Sequence, residues 1–169
     1  AKRPNEKATR MAKFKIIMVK HGYPSVEAER KVVTNAGGEF FDGDQLSDEE
    51  ENRICSEADG ILVRWKKITP DLIQTYKRCK IIVRYGVGTD NVDADAATAA
   101  GIIVGHLPTY CLDEVSNHAI ALWLACVRRL IPTHSKIARG GWDPNPPAPI
   151  YRTAGKTMGL VGFGNIGQA

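Results

Sequence analysis

Several features that would assign the chain to a class are missing. No run of about eighteen apolar residues occurs, so no segment reads as a membrane-spanning helix. The basic N-terminus, Ala1-Lys2-Arg3-Pro4, is followed by no apolar stretch, which argues against a secretory leader. Whether the residues before Met11 are native is left open. The four cysteines (Cys55, Cys79, Cys111 and Cys126) are far apart with no Cys-x-x-Cys pair, so neither a zinc site nor a disulfide framework is expected. Buried structural thiols in a reducing, cytoplasmic protein are the expectation. The formal charge of +4 is local: six of the 23 basic residues but only one of the 19 acidic residues lie in the first fifteen positions. The remainder is close to neutral, and residues 1–13 read as a solvated basic tail. With no basic cluster on a folded segment, nucleic acid is not expected as a partner.

What is present is an alternation of short apolar runs with helical stretches. Phe14–Val19, Glu39–Phe41, Gly60–Val63, Lys80–Val83 and Ile102–Val104 read as strands. Between them lie a helix over Pro24–Asn35 stopped by Gly37-Gly38, a capping box from Ser47 to Glu50, a Thr69-Pro70 helix start, and a helix over Asp93–Ala100. This order predicts a flavodoxin-like, doubly wound parallel α/β sheet over residues 14–105, with helices on both faces. Residues 106–169 read as a connecting segment and the first strand and turn of a second, Rossmann-type domain. In it, an apolar helix from Asp113 ends at Arg128-Arg129 and is expected to be buried between domains or subunits. The Gly140–Pro149 stretch reads as a loop, and Thr157–Val161 as a strand. His118, on the apolar helix, reads as a packing histidine.

Two glycine turns carry the chemistry. Gly162-Phe163-Gly164-Asn165-Ile166-Gly167 follows the apolar run Thr157–Val161 and should open a helix. There Gly162 permits the tight turn, Gly164 the approach of a pyrophosphate, and Gly167 close packing of the helix. The second turn, Arg84-Tyr85-Gly86-Val87-Gly88-Thr89-Asp90-Asn91-Val92-Asp93, lies between a strand and a helix. Successive backbone amides there could hold a carboxylate or phosphate; plain turn chemistry explains the same residues equally well.

Arg84–Asp93, Ala100-Gly101-Ile102, Pro108 and Gly155–Gly167, in this order and spacing, resemble the D-isomer-specific 2-hydroxyacid dehydrogenases. The likeness is strongest to phosphoglycerate dehydrogenase-like members and bacterial relatives of C-terminal-binding protein, and it covers about residues 55–169. It implies the N-terminal half of an NAD-dependent oxidoreductase, with NADP not excluded, that moves a hydride to or from C2 of a small 2-hydroxy or 2-oxo acid. The loop amides of Gly86, Val87 and Gly88 would hold the substrate carboxylate, and Val87 would lie near the nicotinamide. Arg64 and Trp65, in the loop after the third strand, match a place where an arginine reaches the far end of the substrate; a surface arginine is the equal alternative. Val115 matches a position that touches the cofactor, and Gly162, Phe163, Gly164, Asn165, Ile166 and Gly167 match the pyrophosphate turn. The catalytic arginine, carboxylate and histidine belong to a later part of the family's sequence. No catalytic residue is therefore expected in this chain, and no metal. None of His21, His106, His118 or His134 matches the catalytic histidine. The acidic residue that selects NAD over NADP, about twenty positions beyond the glycines, is likewise absent. The resemblance further implies homodimers built through the nucleotide-binding domain and the apolar helix. The alternatives are an NAD(H)-sensing binding protein of the corepressor type and an inactive piece of a longer chain.

Overall fold

The computed structural model describes residues 13–143, 145 and 149–169. The basic tail, apart from Lys13, and part of the Gly140–Pro149 loop lie outside the described residues. The chain divides into two compact units, one ending at Pro108 and one spanning Thr109–Ala169.

In the first unit, strands β1 (Lys15–Met18), β2 (Glu39–Asp42), β3 (Gly60–Val63), β4 (Ile81–Arg84) and β5 (Ile103–Gly105) form one sheet of order β2-β1-β3-β4-β5. Every pairing is parallel, in the flavodoxin-like order. Helices α1 (Glu27–Asn35), α2 (Asp48–Glu57), α3 (Pro70–Thr75) and α4 (Ala94–Ala99) are the crossovers. Their starts follow from local chemistry. Ser47 and Glu50 form a reciprocal capping box on α2. Thr69 accepts from Leu72 N–H ahead of Pro70 on α3, and Asp93 caps α4 through Ala96 N–H. α1 begins at Glu27 rather than Pro24 and has no side-chain cap.

Alternation along β1 and β3 divides the core. Ile17, Val19, Ile61 and Val63 pack with Ile54 and Cys55 of α2, Ile73 of α3 and Ala97 of α4, while Met18 packs on the other side with Val26 and Phe40. The second face is less covered than the sequence implies. Among the described residues of the first unit, α1 is the only crossover helix on that face, and at the far edge the registered pair Ile81 and Ile103 stays 37% and 67% exposed.

The second unit contains α5 (Leu112–Val127), α6 (Leu130–Ala138) and the short α7 (Asn165–Gln168). Three expectations are corrected here. Residues Thr157–Val161 form no strand: a strand needs a neighbour for its backbone groups, and the described residues supply none. The apolar helix α5 has no buried residue in the chain by itself. His118 on it is exposed rather than packed. α6, which the sequence reading passed over, follows Arg129 in a left-handed conformation. Its Pro132 sits in the first helical turn, where no intrahelical donor is lost.

The cysteines also divide: Cys55 and Cys79 are buried, Cys111 is partly buried and Cys126 is exposed, all unpaired. Burial pushes the Cys55 thiol up to about 12, so it behaves as an inert core group.

Candidate functional site

The loops at the carboxyl ends of β1, β3 and β4 lie where a doubly wound sheet places its ligands, and the chain order reverses between β1 and β3.

The turn after β1 is locked from within. His21 is 2% exposed, and its Nδ1 accepts from Tyr23 N–H at 2.9 Å, so the ring proton resides on Nε2 and is donated to Asp42 Oδ1 at 3.0 Å. Asp44 accepts from the N–H groups of His21 and Gly22, both at 2.9 Å. His21, Asp42 and Asp44 could offer three ligand atoms within 4.8 Å of one another. Backbone N–H donors converge on the same atoms, which is the wrong field for a cation. This cluster is a turn lock, and His21 is not placed to exchange protons with a ligand.

That lock meets the loop after β3. Arg64 Nη1 donates to His21 O at 3.0 Å, and its guanidinium lies over the Tyr23 ring at 4.1 Å and against Trp65 at 4.8 Å. With aromatic rings so placed, the guanidinium is oriented without a salt bridge among the described residues. Trp65 is 66% exposed and borders an open cavity of about 570 Å³ with Lys20, Lys66 and Leu72. Lys66 pairs with Glu51 of α2, which is 1% exposed and also accepts from Lys20 N–H at 2.8 Å.

The loop after β4 is the most constrained. Gly86 has φ 154°, and a Cβ there would stand 1.3 Å from Arg84 Nη1, so the Arg84 guanidinium lies directly against Gly86. Arg84 Nε also approaches Asn91 Oδ1 at 3.4 Å, while Asn91 Nδ2 donates to Lys66 O at 3.0 Å and ties the β4 loop to the β3 loop. Gly86 N–H is spent on Arg84 O at 3.0 Å, which removes one of the three amides expected to face a ligand. The amides of Val87 and Gly88 make no hydrogen bond among the described residues. Burial and nearby Glu29 push the Tyr85 hydroxyl up to about 12, so it stays protonated and donates to Glu29 Oε1 at 3.3 Å.

In the second unit, Gly162 has φ 98°, which L side chains rarely adopt. A Cβ on Gly167 would stand 2.6 Å from Gly162 O, so the turn and α7 close on each other only with glycine there. Gly164 differs: its backbone is extended, and nothing lies within 4 Å of a Cβ built on it. The protein itself makes no demand for glycine at 164, and open space surrounds the position where a side chain would start. Phe163 is 71% exposed and Val115, on α5, 41%. Asn165 and Ile166 open α7.

Sequence reasoning missed Arg84 and His106. Arg84 was visible only as the first residue of the loop. His106 gave no signal, since its contact with Val87 O joins the ends of two strands.

These features define a flavodoxin-like α/β unit with an amide-baring loop at its carboxyl edge, continued by a segment that ends in a glycine turn before a helix. The chain belongs to the D-isomer specific 2-hydroxyacid dehydrogenases, whose catalytic-domain profile matches residues 16–162. It is 37% identical over 126 residues to a hydroxypyruvate reductase of Thermotoga maritima, covering 74% of this chain and 41% of the relative. It is 38% identical over 124 residues to a D-3-phosphoglycerate dehydrogenase of Methanocaldococcus jannaschii, covering 73% and 24%. Among solved structures, an acyclic imino acid reductase in complex with NADPH and D-Arg superposes with a TM-score of 0.79 at 28% identity, covering 92% of this chain and 50% of that one. The chain thus spans less than half the length of these curated relatives.

Proposed function

We propose that this chain supplies the acid-binding unit, and the opening of the nucleotide-binding unit, of a D-2-hydroxyacid dehydrogenase acting on a small 2-hydroxy or 2-oxo acid. The observation that carries the reading is the pair of unspent amides at Val87 and Gly88, at the carboxyl edge of the sheet, in a chain of this family. Their N–H groups would bind the substrate carboxylate, with the Arg84 cation beside them adding attraction for an anion. Arg64, steadied by Tyr23 and Trp65, would meet the far end of the substrate, and the Val87 side chain would border the nicotinamide. Gly162, Phe163, Gly164, Asn165, Ile166 and Gly167 would cradle the pyrophosphate, with Val115 against the cofactor. The open space at Gly164 fits that group. When bound, NAD(H) supplies the hydride chemistry; a solved neighbour that carries NADPH keeps NADP in view. The chain's own residues bind and orient, and the proton-transferring groups lie in another part of the enzyme.

The purified chain, mixed with NADH and glyoxylate, hydroxypyruvate or pyruvate, is therefore expected to show no loss of absorbance at the nicotinamide band above background. The longer protein that carries residues 1–169 is expected to oxidise NADH with at least one of them. Turnover by the chain alone would show that the catalytic groups have been misplaced.

The exposed apolar residues Ile120, Leu122 and Leu124 of α5 support pairing of two copies in the longer enzyme. Light scattering on that protein is expected to give a dimer, and a clean monomer would remove the proposal. No described helix is long and apolar enough to cross a membrane. Four unpaired cysteines support a reducing, cytoplasmic setting. The relatives named above are reductases and dehydrogenases, which does not favour a corepressor-type binding protein.

A further inference from the structure

The amides of the β4 loop have fixed directions because the opposite ends of their peptide units are held. The peptide joining Gly86 to Val87 gives its carbonyl to Leu107 N–H at 3.0 Å. The peptide joining Val87 to Gly88 gives its carbonyl to the His106 ring, with Nδ1 at 2.7 Å from Val87 O. A carbonyl oxygen carries no proton, so Nδ1 is the donor in this bond. A trans peptide is planar, with N–H opposed to C=O. Holding both carbonyls toward the segment after β5 turns the Val87 and Gly88 N–H groups the other way.

The two restraints differ in kind. Leu107 acts through its backbone, which any residue but proline supplies. His106 acts through its side chain, and it restrains the peptide that most needs restraint. Gly88 has no Cβ and is exposed, so the Val87–Gly88 plane has little else to stop it from rotating. Rotation of that plane would present a carbonyl oxygen where an anion needs a donor. A donated hydrogen bond at the carbonyl also polarises the peptide and makes its N–H a better donor.

We propose that His106 is a positioning residue for the loop: its Nδ1–H holds the Val87–Gly88 peptide so that Gly88 N–H faces the carboxylate of the bound acid. The proposal rests on the reading of the Val87 and Gly88 amides as a carboxylate site. His106 touches neither acid nor cofactor and acts through the peptide it holds.

The test is a titration of the ¹⁵N-labelled 169-residue chain with glyoxylate, followed in amide and imidazole spectra. In the unaltered chain, Nδ1 of His106 should carry the proton, and the Val87 and Gly88 amide protons should move downfield saturably. His106→Ala should weaken binding about tenfold, the worth of one oriented bond to a charged group. It should also suppress the Gly88 shift while leaving a Val87 shift. His106→Asn, whose Nδ2 hangs from Cγ as Nδ1 does, should restore most of both. A merely structural role would change thermal stability and would not single out Gly88. Unchanged affinity and Gly88 shift in His106→Ala would overturn the positioning role and leave the carboxylate site standing. A ring protonated only at Nε2 would overturn it as well, without any variant. If no amide between 86 and 89 responds in the unaltered chain, the carboxylate site itself is wrong.

Discussion

Gly86→Ala is expected to weaken 2-oxo acid binding by more than tenfold and to cost about 2 kcal/mol of stability. The two effects share one cause. At φ 154° an L side chain is strained, and the added Cβ would coincide with the Arg84 guanidinium, 1.3 Å from Nη1. Either the loop leaves its conformation or Arg84 leaves the loop, and both remove something an anion needs. Asn91 carries the disturbance further, since it joins Arg84 to the carbonyls of the β3 loop. Urea unfolding and acid titration of the variant read the two effects separately. Gly88→Ala is the useful contrast: its nearest obstacle is an Asp90 carboxylate oxygen at 3.0 Å, the end of a side chain that can turn away. Equal losses in the two variants would show that Arg84 and the Gly86 conformation are incidental.

A second large effect lies away from the glycines. Glu51→Ala is expected to destabilise the chain by about 3 kcal/mol, as when one partner is taken from a buried ion pair. The Glu51 carboxylate is 1% exposed; it pairs with Lys66 and accepts from Lys20 N–H at 2.8 Å. Its loss strands a backbone donor at the end of β1 and loosens the segment two residues beyond Arg64. The surface pair Arg30–Glu27 supplies the comparison: Glu27→Ala should change stability by no more than about 0.5 kcal/mol. A Glu51→Ala cost as small as that would mean that the buried pair does not organise the β1 and β3 ends.

How much of this could be read beforehand depended on the range of the interactions involved. Features settled within a few residues were legible: the Ser47–Glu50 capping box, the Thr69-Pro70 start, and the apolar runs that became β1 to β5. The positive φ of Gly86 and of Gly162 could be anticipated only as glycine in a turn. Features that rest on one unusual backbone angle, or that join distant segments, were not legible. Arg84 against Gly86 depends on a single backbone angle, and His106 on Val87 O depends on β4 and β5 ending side by side. The loss of Gly86 N–H to Arg84 O, two residues back, follows from the local backbone conformation of the same turn. The sequence misled where a pattern implies a neighbour. Thr157–Val161 has the composition of a strand with no described strand to pair with, and α5 has the composition of a buried helix yet none of its residues is buried among the described residues. α6 was missed because Arg128-Arg129 looked like a final stop, whereas the left-handed Arg129 starts a second helix.

The central claim is that Val87 and Gly88 hold the acid by their amides. It is tested most directly by a crystal structure of the chain soaked in oxalate or glyoxylate. The account predicts a carboxylate oxygen within about 3.2 Å of both Val87 N and Gly88 N, with Arg84 still against Gly86. An acid bound at Lys20 and Lys66 instead, with these two amides turned away from it, would contradict the account.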